Sequence, residues 1–230
     1  DEDAKLAARE LDLTLTTRDR GKPKEEQTPM CGVPQHSVEA YIARLVQKGY
    51  KVSICEQMED PATAKGIVER EITRVVTPGT VTESSMLDES RNNYIGCIYE
   101  EGGKYGLSFC DVSTGAFFAT SCASAEQVAS ELGRFAPSEV IRSRGCCCEI
   151  IDDALFQRLS CCVNEEKDGQ FDAVQSEAVL ERHFGTSLAQ LGLGGMDAAV
   201  MAAGTLLQTL LTLQKNDLAH IRQFQYYASG

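Results

Sequence analysis

The sequence has no tryptophan and only three histidines in 230 residues, and its 22 lysines and arginines face 34 aspartates and glutamates. The resulting net charge of −12 excludes a polybasic, histone-like binder, because attraction to phosphates needs cations gathered on one surface. A basic patch inside an acidic chain stays open. No Gly-x-x-x-x-Gly-Lys-Ser/Thr run is present, so no loop of backbone N–H groups is available to cradle nucleotide phosphates. His36, His183 and His220 stand in no recognisable triad signature, which leaves a serine or cysteine nucleophile without its base. Each histidine reads as a surface or cap residue. There is no Cys-x-x-Cys pair; Cys146-Cys147-Cys148 and Cys161-Cys162 lack zinc-ligand spacing, and no metal site is expected. The opening Asp1-Glu2-Asp3 has neither the basic start nor the apolar run of a signal peptide. Met196 to Leu213 is the longest apolar stretch, but it carries Asp197, Gln208 and three threonines. It sits at the short end of the roughly 17–25 residues a membrane span needs, and is predicted to be a buried helix.

What remains is enough for a core. Hydrophobic residues make up 43% of the chain and charged ones 24%, an ordinary globular balance. The length suggests one large domain or two small ones. The ten cysteines are too sparse for a disulfide-stapled secreted module. They read as small apolar residues in a reducing cytoplasm.

Along the chain, Ala4 to Leu11 reads as a helix and Leu13 to Thr17 as a strand. Arg18 to Gln27 is a polar loop carrying Arg18, Arg20, Lys22 and Lys24, either a solvated loop or one facing phosphate. After Pro29 to Pro34, Ser37 can cap a helix with Glu39 in its first turn. Val38, Tyr41, Ile42, Leu45 and Val46 form its apolar stripe, and Gly49 ends it. Tyr50 to Cys55 and Glu71 to Val76 read as strands, and a sheet with helices packed on it is the economical arrangement. The break at Thr77-Pro78-Gly79-Thr80 opens a polar stretch with few anchors.

Three strands then follow in quick succession: Tyr94–Tyr99, Lys104–Val112 and Ala116–Ser121. The turns between them are short, which implies an antiparallel meander. Ser124-x-x-Gln127 is a capping-box pattern opening a helix with Val128, Leu132 and Phe135 inward. A short strand, Glu139 to Arg142, precedes a helix begun by Asp152 or Asp153. Helices over Phe171 to Phe184 and Met196 to Leu213 complete the pattern. Strands first, then alternating helix and strand, matches a ribonuclease-H-like layered α/β plan. In such a plan Asp111, at the end of the second meander strand, is where a metal nuclease would hold an acid. Two-metal cleavage needs further carboxylates converging on ions about 4 Å apart. Glu139 and Asp152 or Asp153 are the available partners, neither compellingly placed, and Asp111-Val112-Ser113-Thr114-Gly115 is better explained as turn chemistry.

Several segments resemble the bacterial MutS family of DNA mismatch-repair proteins, in order and over essentially the whole chain. They are Thr28 to His36, Ile54-Cys55-Glu56-Gln57, Asp60 to Gly66, Val68-Glu69-Arg70, Val75 to Thr80, Asp111 to Gly115 and His220-Ile221-Arg222. The resemblance implies a small mixed-sheet α/β mismatch-recognition domain over residues 1–77 and a linker over 78–91. A ribonuclease-H-like connector without nuclease activity would then span 92–222, with residues 223–230 starting the core and lever region. The family reads mispairs with a Phe-x-Glu motif, whose ring wedges into the duplex. That motif is absent here, and by alignment would end just before Asp1, so the first domain is expected to lack its first strand. Residue by residue, Arg18, Lys65 and Arg70 match positions near the DNA backbone, and Met30 matches one near the kinked minor groove. The bland alternative for Arg70 is an ion pair with Glu69 or Glu71. The family further implies a longer parent protein, homodimeric and cytoplasmic at the bacterial nucleoid. It would act on duplex DNA with mispairs or small loops, bind ATP and Mg in a domain absent here, and meet MutL through the connector. No catalytic residue, cofactor or membrane contact is expected of this chain itself. Weak DNA binding without mispair preference is expected of it.

Overall fold

In a computed structural model the chain is described over residues 2–83, 86–88, 90–143, 146, 148–166 and 171–230, with Glu166 described by its backbone alone. Asp1 and Cys147 from the reading above lie outside the described residues, as do Ser84, Ser85 and Glu89 of the 78–91 stretch. Two compact units are present, residues 1–52 and 53–230.

The first unit begins with α1 (Glu2–Leu11), followed by β1 (Thr16–Thr17), β2 (Pro29–Met30) and α2 (Val38–Gln47). The two helices contact each other, with Leu11 and Val46 buried. The Lys48 ammonium donates to the Glu10 backbone oxygen and carboxylate, both at 2.9 Å. Strand β1 pairs antiparallel with β2, Thr16 opposite Met30 and Thr17 opposite Pro29. The strand expected over Leu13 to Thr17 shrinks to its last two residues, because β2 offers only two partners; Leu15 is 45% exposed. Ser37 stands at the start of α2 but does not cap it with its side chain. A 3-10 turn, Gln35–Ser37, leads into the helix instead and leaves Ser37 at φ −112°, ψ 1°, outside the extended region that a capping residue normally adopts.

The second unit opens with a two-stranded ribbon, β3 (Val52–Gln57) and β4 (Arg70–Val76). It is antiparallel: the Met58 N–H donates to Glu69 O at 2.9 Å, and the Thr73 hydroxyl reaches Ile54 O at 3.4 Å. The single helix-backed sheet expected for the first 77 residues is therefore two separate ribbons, since neither has a third strand among the described residues.

The main sheet has six strands: β5 (Ile95–Glu101), β6 (Lys104–Asp111), β7 (Ala116–Cys122), β8 (Glu139–Ser143), β9 (Cys162–Glu166) and β10 (Gln225–Tyr226). Their order is β10-β7-β6-β5-β8-β9. Strands β5, β6 and β7 form the expected antiparallel meander. Strands β8 and β9 add in parallel beside β5, and β10 adds in parallel beside β7. Helices α3 (Ala125–Phe135) and α4 (Asp153–Arg158) cover one face, α5 (Ala173–Phe184) and α6 (Asp197–Gln214) the other. This is the layered α/β plan predicted for the second region.

Pleating divides the core. Leu107 and Phe109 of β6 pack with Val128 and Leu132 of α3 and with Phe156 of α4, whereas Cys110 joins Val179, Ala203 and Leu206 on the α5–α6 side. Burying each such large side chain stabilises the fold by about 1.5–3 kcal/mol. The helix starts agree with local chemistry. Ser124 accepts the Gln127 N–H, and the Gln127 side chain reaches back to the Ala123 N–H at 2.8 Å. Asp152 and Asp172 cap α4 and α5 through the N–H groups of Leu155 and Gln175. Helix α6 lies very close to the sheet and to α5: a Cβ at Gly106 would stand 1.8 Å from Ala198 O, and one at Gly204 2.3 Å from the Cβ of Ser176 in α5.

Two features went unread in the sequence. The 78–91 stretch begins in a tight anchorage, with Thr77, Pro78, Gly79, Thr80 and Val81 all little exposed. The Glu139 carboxylate, 1% exposed, accepts the Thr77 hydroxyl at 2.5 Å, the Gly79 N–H at 2.9 Å and the Asn164 amide at 2.6 Å. At the other end of the chain, residues 225–229 run beside β7. The Tyr227 N–H donates to Ala119 O at 3.0 Å, the Thr120 hydroxyl to Tyr227 O at 2.6 Å, and the Ser229 hydroxyl to Ser121 O at 2.9 Å. The Tyr227 hydroxyl donates to the buried Glu131 carboxylate at 2.6 Å, and the Arg134 guanidinium lies over its ring. Burial first, then that carboxylate, pushes the phenol's pKa well up.

Candidate nucleic-acid interface

The residues predicted to meet DNA fall into two pairs, one on each compact unit. Arg18 follows β1 directly at a bend, and Met30 sits in β2 opposite Thr16. The register places Arg18 two residues along from the Thr16–Met30 pair, on the same short ribbon. Asp19 fixes the bend: its N–H donates to the Thr17 hydroxyl at 3.1 Å, and its carboxylate accepts the Thr28 N–H at 3.4 Å. Arg18 is exposed and Met30 half-buried. Among the described residues, Arg18 enters no ion pair, whereas neighbouring Lys22 is drawn to Asp19 at 3.6 Å. A guanidinium without a carboxylate partner is the form that serves phosphate.

Lys65 and Arg70 stand on the β3–β4 hairpin. Asp60 turns the loop by accepting the Ala62 N–H at 2.9 Å, and Glu59 ties it by accepting the Glu69 N–H at 3.1 Å. Lys65 lies on the loop and Arg70 opens β4, both exposed. The competing reading of Arg70 was an ion pair with Glu69 or Glu71. Among the described residues neither it nor Lys65 forms any ion pair. Between the two cations stands Ile67, 99% exposed on the loop, with Met58 at 53% near the loop's base. Sequence reading passed over both, because an apolar residue outside a periodic run carries no signal. The same segment holds Glu56, Glu59, Asp60, Glu69 and Glu71, so the two cations act locally, in a field that is net negative.

Asp111 is 1% exposed and committed to its own turn. One carboxylate oxygen accepts the Ser113 N–H at 3.0 Å and the Ser113 hydroxyl at 2.6 Å, and the other accepts the Asn93 N–H at 3.2 Å. The Gly115 N–H closes the turn on Asp111 O at 2.8 Å, with Gly115 at φ 80°. Its supposed partners are also engaged elsewhere: Glu139 in the anchorage around Thr77, Asp152 in capping α4, and Asp153 in an ion pair with Arg142 at 3.3 Å. Among the described residues no three histidines, cysteines or carboxylates are grouped to hold a metal ion. The arrangement is turn chemistry.

The described cysteines form no disulfide. Cys97 and Cys110 are core residues, and burial pushes the Cys110 thiol strongly up; Cys161 is pushed up to about 12, again mainly by burial. No described helix is long and apolar enough to cross a membrane.

Comparison with known proteins divides the chain later than the two compact units do, which part after Val52. The family description MutS domain I matches residues 1–85, and MutS domain II matches residues 93–222. The DNA mismatch repair protein MutS of Ruminiclostridium cellulolyticum is 45% identical over 98% of the chain and 26% of its own length. That of Methanococcoides burtonii is 45% identical over 100% of the chain and 26% of its length, and that of Pelotomaculum thermopropionicum 44% identical over 100% and 26%. The chain thus spans about a quarter of the relatives it matches. Two domain matches in the right order, over a chain alike from end to end, place it plainly: it belongs to the MutS family and consists of that family's domains I and II.

Proposed function

We propose that the chain is the DNA-contacting and connecting part of a mismatch-repair protein, without catalysis of its own. The observation that carries this reading is the pairing of the domain I match with exposed cations, Arg18, Lys65 and Arg70, that have no carboxylate partner among the described residues. Arginine and lysine neutralise phosphates and fix a protein's register on a duplex without reading its sequence. Met30 supplies apolar surface toward the minor groove, and Ile67 stands beside the cations on the hairpin. The second region acts as the connector, linking DNA contact to an ATPase elsewhere in the longer protein. ATP and Mg belong to that part, and this chain needs no cofactor. The longer protein works as a homodimer on duplex DNA with mispairs or small loops, in the bacterial cytoplasm at the nucleoid. It meets MutL through the connector and makes no membrane contact.

The isolated chain binds duplex DNA weakly and without preference for a mispair, because it has no Phe-x-Glu wedge and the hairpin's five carboxylates outnumber its three cations, Lys65, Arg70 and Arg74. Fluorescence anisotropy with matched and mispaired duplexes at low salt tests this. Log affinity should fall with log salt concentration, and Arg18→Ala or Arg70→Ala should each flatten the slope by about 1. A strong mispair preference, or slopes unchanged in both variants, refutes the reading.

A further inference from the structure

Where the start of β7, the end of α5 and residues 220–225 meet, the second unit carries a groove made of two cavities. One is ≈ 840 Å3 and the other ≈ 600 Å3, and they share Phe184 and Arg222. The larger is floored by Phe117, Phe184, Leu191 and Phe224, whereas the Phe118 ring turns to the other face of the sheet, against Tyr94 and Phe135. The rings meet at steep angles: Phe117 lies at 78° to Phe184 and 42° to Phe224, and Phe184 at 57° to Phe224. They form a notch between edges and faces, which suits a branched or aromatic side chain. No flat platform is offered of the kind on which successive bases stack.

The walls are basic in a chain that is not. Arg182 and Arg222 are exposed on them and enter no ion pair among the described residues. His183 and His220 stand beside them, each ring bonded to a backbone oxygen: His183 to Ile221 O at 2.8 Å, His220 to Val112 O at 2.6 Å. Among the described residues, Asp217 alone brings a carboxylate to the groove lining, and it accepts the Ala219 N–H at 3.1 Å. Residues 223–225 of the wall belong to, or lead into, β10, the outermost strand of the sheet. One side of β10 pairs with β7; the other has no strand beside it among the described residues. An edge strand next to an apolar notch is the arrangement by which proteins capture extended peptides.

We propose that this groove is a docking site for an acidic peptide segment of a partner protein. The peptide lies extended along the outer edge of β10. One apolar or aromatic side chain fills the notch at Phe184, Leu191 and Phe224, over the buried Phe117 ring, and carboxylates meet Arg182 and Arg222. The site shares no residue with the DNA contacts and stands whether or not those hold.

The test is a phage selection of random dodecapeptides on the intact chain, with a parallel selection on the Arg182→Glu/Arg222→Glu variant. Both arginines are exposed, so the variant should fold, as its circular dichroism and melting will report. The expected result is enrichment, on the unaltered chain alone, of peptides joining aspartate or glutamate to one large apolar residue. An enriched peptide should lose affinity about tenfold for each arginine reversed. Leu191→Arg, which blocks the notch while leaving both arginines in place, should also abolish binding. No enrichment, enrichment of neutral or basic peptides, or equal binding to the variants overturns the proposal. So does an oligo-dT probe that binds in an Arg222-dependent way when no acidic peptide is selected, for it assigns the groove to nucleic acid.

Discussion

Replacing Glu139 with alanine should destabilise the second unit more than most single substitutions in this chain. The carboxylate is 1% exposed, and its donors are the Thr77 hydroxyl, the Gly79 N–H and the Asn164 amide. A short relay stands behind it: the Thr77 N–H donates to the Thr80 hydroxyl at 2.9 Å, and that hydroxyl is 2.8 Å from Thr77 Oγ1. Thr77 and Thr80 are fully buried, so water cannot replace the lost acceptor. Leaving a buried donor unsatisfied costs about 1–3 kcal/mol. With three donors and partial relaxation, Glu139→Ala should cost about 3–5 kcal/mol, a large part of the roughly 5–15 kcal/mol that holds a typical domain. Glu139→Gln keeps an acceptor for Asn164 but turns an N–H toward Gly79, and should cost less, about 2 kcal/mol. Urea unfolding of the intact chain, followed by circular dichroism, measures both. Hydrogen exchange should also show the amides of residues 77–81 losing protection in the alanine variant before the sheet does. A midpoint shift worth less than about 1 kcal/mol for Glu139→Ala would mean the three donors find other acceptors, and the reasoning fails.

Three further expectations follow from the fold. Gly204→Ala places a methyl 2.3 Å from the Ser176 Cβ and 2.4 Å from its Cα; α5 must move off α6, and thermal unfolding should report a loss of about 1–3 kcal/mol or more. Asp111→Ala should lower stability by about 1–3 kcal/mol through the orphaned N–H groups of Asn93 and Ser113, while incubation of the parent chain with Mg or Mn and hybrid or branched substrates should yield no cleavage; cleavage abolished by Asp111→Asn would restore the nuclease reading. The Arg74 guanidinium, bonded to Glu83 at 2.5 and 3.0 Å, holds the Glu83 carboxyl below its usual 4.5 against the opposing effect of burial. A carboxylate depressed by folding adds stability that is fully present above its unfolded pKa and vanishes as pH falls through the folded value. The gap in urea midpoint between the chain and Glu83→Gln should therefore be open at neutral pH and close below about pH 4.5; a gap that widens in acid contradicts the assignment.

What the sequence disclosed was mainly what local chemistry decides. The capping box at Ser124 and Gln127, the cap at Asp152 and the glycine ending α5 at φ 67° each depend on residues a turn apart. The meander was legible because its turns are tight. Strand β10 was not, because two residues become a strand only through β7. Strand β9 escaped because its Cys-Val-Asn-Glu-Glu sequence ends in two carboxylates where alternation was sought. Glu139 looked like one more surface acid, and only the fold brings Thr77 and Gly79 to it from sixty residues away. For the DNA contacts, the residue types permitted phosphate binding, but resemblance selected Arg18, Met30, Lys65 and Arg70 from the other candidates. The structure adds that the three cations are exposed, that Met30 is half-buried, and that the four residues are distributed over two units.

The segment that continues β10 along β7 has a mechanical consequence. Residues 225–229 run in the same direction as β7 and are held by bonds at Tyr227 and Ser229 and by the tyrosine ring wedged against Glu131 and Arg134. A pull applied at Gly230 along the strand loads these fastenings together in shear and cannot unzip them one at a time. That end of the chain is a strut, able to pass displacement straight into α3 and the sheet without being absorbed by a bend.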